Sequence, residues 1–210
     1  MKKLILLFLI IPLISFGQSF EVEEIQIDSG ANAYQGTFKK FKPLLVLEVN
    51  GSPVELYNKT INWVNETYKN PDEVIKGKVE GKYVRINGFA SNMITQNVLG
   101  TIFYYNIRYS IEIKFKENKF RYEVTKMEQY FEPSSVSSGG WYEIPFNFKV
   151  AKRKGKANKK TGIRKEGKTL KYGVETYERI KAYFENLGIG LKEYMENTDN
   201  AEQDGSDDDW

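Results

Sequence analysis

The sequence predicts an α+β protein, an antiparallel β-sheet covered on one face by an N-terminal and a C-terminal helix. Three observations carry that reading. The stretch FYYNIRYSIEIKFKENKFRYEV alternates apolar and polar residues around one polar break, the period of a half-buried strand pair. The stretch SPVELYNKTINWVNETY spaces its apolar residues as a helix does. Between Val174 and Met195 a second helical stripe recurs. A sheet with one apolar face must be covered, and two amphipathic helices provide the cover.

In chain order, MKKLILLFLIIPLISFGQ comes first. Lys2 and Lys3 are followed by an apolar run, Leu4 to Ile14, and by Ser15-Phe16-Gly17 with small residues where a signal peptidase reads. The run is well short of the ~20 residues a membrane-spanning helix needs. Residues 1–17 are therefore expected to be a signal peptide, leaving an exported chain, periplasmic or secreted, from Gln18. With no cysteine anywhere, a lipoprotein anchor and disulfides are both excluded, and stability has to come from burial.

Residues 18–150 are expected to form the domain core. Strands are expected at Phe20–Ile27, Leu44–Val49 and Lys78–Phe89. Between them Ser52 is a natural N-cap, Pro53 fits the first helical position and Glu55 completes a capping box, so a helix spans Ser52–Tyr68 and ends before Asn70-Pro71. In the long hairpin Glu117-Asn118 fits a two-residue turn, because Asn tolerates positive φ. That register opposes Phe115 to Phe120, Ile113 to Tyr122 and Ile111 to Val124. It would then oppose Tyr109 to Lys126, so a bulge near Thr125–Lys126 is expected to turn Met127 inward. Trp141–Val150 reads as an edge strand, Pro145 confining it to an edge or bulge. Residues 151–171 read as a basic linker: Lys149 to Lys171 holds eleven basic residues against Glu166 alone. Residues 172–197 are expected to be a helix packing on the core, its stripe interrupted by Gly188 and Gly190. Residues 198–210 read as a disordered acidic tail, Glu196 to Trp210 holding seven acidic residues and no basic one.

The segments SPVELYNKTINWVNETYKNPDEVI and YYNIRYSIEIKFKENKFRYEV, behind a signal peptide, resemble an exported bacterial family known as domain of unknown function 4468. The likeness lies in Leu56-Tyr57 and Trp63 on the first helix and in the hairpin from Lys116 to Tyr122. It covers about residues 20 to 131. It implies a fold similar to the TATA-binding protein and brings no active site with it.

The inventory of reactive groups is short. Without histidine there is no imidazole acid–base or nucleophile-activating system, and without cysteine no thiolate chemistry. No phosphate- or dinucleotide-binding fingerprint occurs. Glu112 opposite Glu123 is the best paired-carboxylate candidate, but Lys114 and Arg121 beside them would keep both ionised, whereas a general acid needs one raised. Asn200-x-Glu202-x-Asp204-Gly205 imitates half a calcium loop and has no room for the rest. No catalytic residue, cofactor or metal is therefore expected, and the chain reads as a non-enzyme. Trp63, Tyr105 and Tyr109 lie on apolar faces and read as core. Tyr104, Arg108, Arg121 and Trp141 are the candidate contact surface. The expected role is an exported envelope binding or interaction module whose partner is an unidentified protein or polymer. The alternative is a carrier holding a sugar or lipid between sheet and helices, beside Trp141. Lys152–Lys171 could touch an anionic surface. Nucleic acid is not expected, because no aromatic residue interleaves the basic run to stack a base. Mass spectrometry of the protein recovered from its native host should find Gln18 at the N-terminus; a chain retaining Met1 to Gly17 in the cell would refute export.

Overall fold

The computed structural model describes residues 19–28, 34–134, 138–153 and 171–203, with side chains described for 19–23, 40–134, 138–146 and 171–197. The proposed signal peptide lies outside the described residues, as do 154–170 of the basic segment and 204–210 of the acidic tail. Twelve elements follow one another: β1 (Val22–Asp28), β2 (Tyr34–Phe41), β3 (Leu44–Glu48), α1 (Pro53–Thr67), α2 (Pro71–Val74), β4 (Ile75–Val79), β5 (Tyr83–Val98), β6 (Thr101–Lys116), β7 (Lys119–Phe131), β8 (Gly140–Glu143), β9 (Asn147–Arg153) and α3 (Lys171–Gln203).

The main sheet is six-stranded and antiparallel, in the order β3-β7-β6-β5-β4, with β8 added beside β7. The outer side of β7 is shared: β3 pairs with Lys119–Glu123 and β8 with Glu128–Phe131. The β6–β7 register is the one the alternation demands, with Phe115 opposite Phe120 and Ile111 opposite Val124. One residue later it shifts, Ser110 facing Lys126, so Thr125 is the extra residue and Met127 turns into the core beside Tyr109. Thr125 Oγ1 donates to the Ser110 carbonyl at 3.3 Å. At the turn Asn118 takes φ 56, the left-handed conformation Asn accepts. It also ties the turn to the β3–α1 connection, since its side-chain carbonyl accepts from Gly51 N–H at 3.1 Å.

Helices α1 and α3 cover one face. α1 starts at a capping box: Glu55 N–H donates to Ser52 Oγ at 3.3 Å and Ser52 N–H to Glu55 Oε2 at 2.6 Å. Leu56, Thr60, Trp63 and Val64 are buried against the sheet, and Tyr57 meets Phe115 edge-on at 6.1 Å. α3 lays Tyr177, Ile180, Phe184, Leu191 and Met195 onto the same layer. The two helices also touch directly, Lys59 Nζ donating to Met195 O at 3.1 Å and Tyr194 Oη to Glu66 at 2.6 Å. Ile107, Ile111 and Ile113 beneath them are fully buried.

Several boundaries differ from the sequence reading. The expected strand at Lys78–Phe89 is two strands, β4 and β5, and β5 runs on to Val98. Trp141–Val150 is likewise two strands, β8 and β9, separated at Pro145, which can donate no ladder bond. β9 pairs with β2, and β2 with β1, as a separate three-stranded sheet that the sequence reading did not contain. Ala151–Arg153 thus belong to a strand and Lys171 to a helix rather than to a linker. Asp199–Gln203 are helical, continuing α3 past the expected end at 197. Gly188 and Gly190 do not break α3; at Gly188 the helix sits so close to the sheet that a Cβ would lie 3.2 Å from Leu45 and Tyr122.

A tighter approach occurs at Gly88, opposite Tyr109 in the β5–β6 ladder: an added Cβ would fall 2.3 Å from the buried tyrosine ring. Gly88→Ala should therefore lower the unfolding free energy in urea by about 1–3 kcal/mol with an unchanged denaturant slope. Unaltered stability would show that the ring is free to move aside.

Candidate functional site

The face of the main sheet turned away from the helices carries the charged half of the alternation. At its centre Arg108 on β6 stands opposite Phe89 on β5 and Glu128 on β7. Its Nε donates to Glu128 Oε2 at 2.6 Å and an Nη to Oε1 at 3.0 Å, a bidentate pair. Lys126 Nζ joins the same carboxylate at 3.0 Å. Held flat by that fork, the guanidinium lies 4.7 Å from the ring centre of Trp141, within cation–π range. Trp141 reaches this place because β8 pairs with the upper half of β7, setting Trp141 opposite Tyr130. Its ring meets Tyr130 at 5.2 Å and Phe89 edge-on at 6.3 Å. Phe89 itself is 55% exposed. The result is a solvent-facing plate of Phe89, Arg108, Trp141 and Tyr130, with the guanidinium fixed by Glu128, whose carboxylate Lys126 also holds.

Of the four residues the sequence singled out, Arg108 and Trp141 are in contact. Tyr104 is exposed on the same side of β6, about 13 Å further along at ordinary strand rise. Arg121 lies toward the opposite end, paired with Glu123 across from Lys114. Sequence reasoning missed Phe89 and Glu128. Both come to Arg108 through ladder register, and the alternation on β6 and β7 was the signal for Glu128.

Glu112, Glu123 and Glu128 on this face are each held in an ion pair. Glu112 accepts from Lys114 and from Arg85, each at 2.6 Å, and these bonds hold its carboxyl below the usual range. Arg108, with help from Lys126, holds Glu128 down to about 2. Glu112 does stand opposite Glu123. Neither Glu112 nor Glu128 offers the raised carboxyl that a general acid requires.

Under the helices a second polar cluster collects phenols. Tyr109 and Tyr183 share a hydrogen bond of 2.8 Å, while the buried hydroxyls of Tyr68 and Tyr122 have no partner of normal geometry. Burial pushes Tyr68 up to about 12 and Tyr109 and Tyr122 well above their ordinary value, reinforcing the neutral form that a phenol already takes at physiological pH. Trp63 and Tyr109 are core, and Tyr105 is half-buried against Phe131 at 5.6 Å. Among the described residues no group of three acidic side chains could hold a metal ion, and no helix is long and apolar enough to cross a membrane. A cleft of about 720 Å³ opens elsewhere, lined by Glu21–Glu23, Lys40–Pro43 and Pro145-Phe146, and Trp141 is not in its wall.

Residues 46–130 match a family model described as a domain of unknown function (DUF4468) with TBP-like fold. Similar solved structures include a TBP-like protein from Parabacteroides distasonis, 16% identical, with 75% of this chain and 94% of that chain covered at a TM-score of 0.49. A DUF4468 family protein from Bacteroides ovatus is 12% identical, covering 74% of this chain and 86% of that one at a TM-score of 0.47. No curated protein matches the chain.

The depressed Glu128 carboxyl sets an acid dependence. A carboxyl lowered in the folded state adds stability above its unfolded value near 4.5, and that contribution disappears as pH falls through about 2. Arg108→Ala should move the Glu128 titration, followed by carboxyl-carbon NMR, upward toward 4.5, with Lys126 retaining part of the depression. A Glu128 titration unmoved by the substitution would contradict the bidentate pair.

Proposed function

We propose, from the premise that residues 46–130 match the DUF4468 family with its TBP-like fold, that this chain is an exported, non-enzymatic binding module of the cell envelope. The observation that carries the reading is the plate of Phe89, Arg108 and Trp141. Aromatic rings and an arginine in fixed geometry, exposed at the centre of a sheet face, are the residue types that dominate protein contacts. Pre-orientation by Glu128 removes much of the side-chain entropy that binding would otherwise cost. The ionic ladder around it, Arg85–Glu112–Lys114 on one side and Lys126–Glu128 on the other, suits a polar rim. The chain has neither histidine nor cysteine, and Glu112 and Glu128 sit in ion pairs, which favours recognition over chemistry.

The cleft between Glu21–Glu23 and Pro145-Phe146 favours a second reading, a small-ligand carrier. Phe41 lies at its floor, stacked on Phe20 at 5.4 Å and tilted against Phe146 at 5.5 Å, so an apolar or sugar ligand would meet rings there and charges at the rim.

Binding of the chain from Gln18 onward to detergent-solubilised envelope proteins separates the two. Phe89→Ala and Trp141→Ala should each weaken the interaction at least tenfold, while Lys78→Ala on a remote strand leaves it unchanged. Equal binding by all three, together with a thermal shift of several degrees on adding a glycan or lipid, would replace the module with the carrier.

A further inference from the structure

From Ile86 to Ile107 the chain has no charged side chain, although charged residues make up 28% of the whole. This run is the far half of the β5–β6 hairpin. β7 pairs with β6 only as far as Ile107, and β4 with β5 only at Ile86 and below, so the hairpin continues as a two-stranded ribbon whose outer edges pair with no other strand among the described residues. α3 supports its base: Thr95 N–H donates to Thr176 Oγ1 at 3.0 Å, and Arg179 donates to Asn92 O and Thr95 Oγ1, each at 2.9 Å.

Beyond that base the apolar side chains are exposed. Val98 and Phe103 lie toward one face of the ribbon and Ile102 and Tyr104 toward the other, because Val98 pairs with Thr101 and side chains alternate. At the turn Leu99 is 102% exposed and takes φ 52, a conformation that Asn or Gly adopts more readily than Leu. The Gly100 N–H, donating to Asn97 Oδ1 at 3.0 Å, fixes the turn and leaves the leucine at its apex. A fully wet leucine in a left-handed conformation gains nothing from this protein's own core.

We infer that the tip formed by Val98, Leu99, Ile102, Phe103 and Tyr104 inserts into the interface of a lipid bilayer. These side chains expose on the order of 500 Å², at the upper end of what one patch on a monomer presents. A second copy or a flat protein partner covers one face of a ribbon, which is about half that area, whereas a stable dimer needs about 600 Å² or more from each subunit. Lipid surrounds the ribbon and takes up both faces and the apex together. The distance from Leu99 to the level of Tyr104 and Thr95 is about 13 Å at strand rise, so the tip reaches the acyl boundary while the tyrosine stays among the headgroups. Unpaired backbone at the ribbon edges limits it to that depth, since strand edges cannot enter the hydrocarbon unsatisfied. At the base the charged side chain bonded to the ribbon is the cation of Arg179, the sign that suits an anionic headgroup. This contact is separate from the Arg108–Trp141 plate, on which it does not depend.

The test uses the chain from Gln18 onward, which contains every described residue and lacks the apolar leader. Leu99→Trp should show a blue-shifted emission on adding vesicles of phosphatidylethanolamine and phosphatidylglycerol, with quenching by lipids brominated near the headgroup end of the acyl chain. In flotation with the same vesicles, Leu99→Asp combined with Phe103→Asp should lower the bound fraction at least tenfold while the thermal unfolding midpoint stays within a few degrees, these side chains being exposed. Absence of any emission change or flotation overturns the inference. So does a concentration-dependent dimer, seen by sedimentation without lipid, that the double substitution abolishes.

Discussion

Strict alternation along β6 is the constraint on which the molecule depends. Ile107, Tyr109, Ile111, Ile113 and Phe115 must all face the helices, and a slip of one residue would put every one of them in water and the charges of Arg108, Glu112 and Lys114 in the core. β5 and β7 pair on either side of this strand, α1 and α3 rest on its apolar side, and the ionic ladder is its other side. The register is set at the Glu117-Asn118 turn and would fail nine residues back, where polar Lys126 would meet Tyr109. The bulge at Thr125 absorbs the misfit and lets Met127 replace Lys126 in the core. The same extra residue carries Lys126 and Glu128 to the wet side, so the bidentate pair with Arg108 exists because of a packing correction underneath it.

Much of this was legible in the sequence for local reasons. Period-two alternation, an Asn at the turn and a Ser-Pro-x-Glu helix start each act within a few residues, and β6, β7, the bulge and α1 followed from them. The three-stranded sheet was not legible, because β2 (YQGTFKKF) is short, mixed in polarity and pairs with residues more than a hundred positions away. The far half of β5 was lost at the Leu99-Gly100 turn, since leucine is not a residue from which a left-handed turn is read. That loss also hid the candidate plate. Arg108 and Trp141 were recognisable as exposed candidates, but only the β5–β6 register brings Phe89 across to them, and only the position of β8 brings Trp141 over the guanidinium.

The two faces of the sheet hold their ionisable groups in different environments. Tyr68, Tyr109, Tyr122 and Tyr183 sit under the helices, where burial raises their titration above the ordinary phenol value and they remain neutral hydrogen-bonding groups. Carboxylates and cations sit on the outside, paired closely enough that Glu112 and Glu128 titrate below the ordinary range. Glu112 and Glu128 therefore keep their charge across neutral and mildly acidic conditions. Arg108 belongs to both descriptions of that surface, as an ion-pair partner for Glu128 and as a planar group stacked on an indole.

The three-stranded sheet joins the first strands of the described chain to the last, β1 and β2 near the start and β9 after all the strands of the main sheet. On a ribosome or at a translocation pore the first hairpin emerges early and has to wait until residues 147–153 are free before it gains its third strand. The chain therefore closes its small sheet late, over a contact of high sequence separation, and such contacts slow folding. The first hairpin thus stays without its third strand until every strand of the main sheet, the last ending at Glu143, has been delivered.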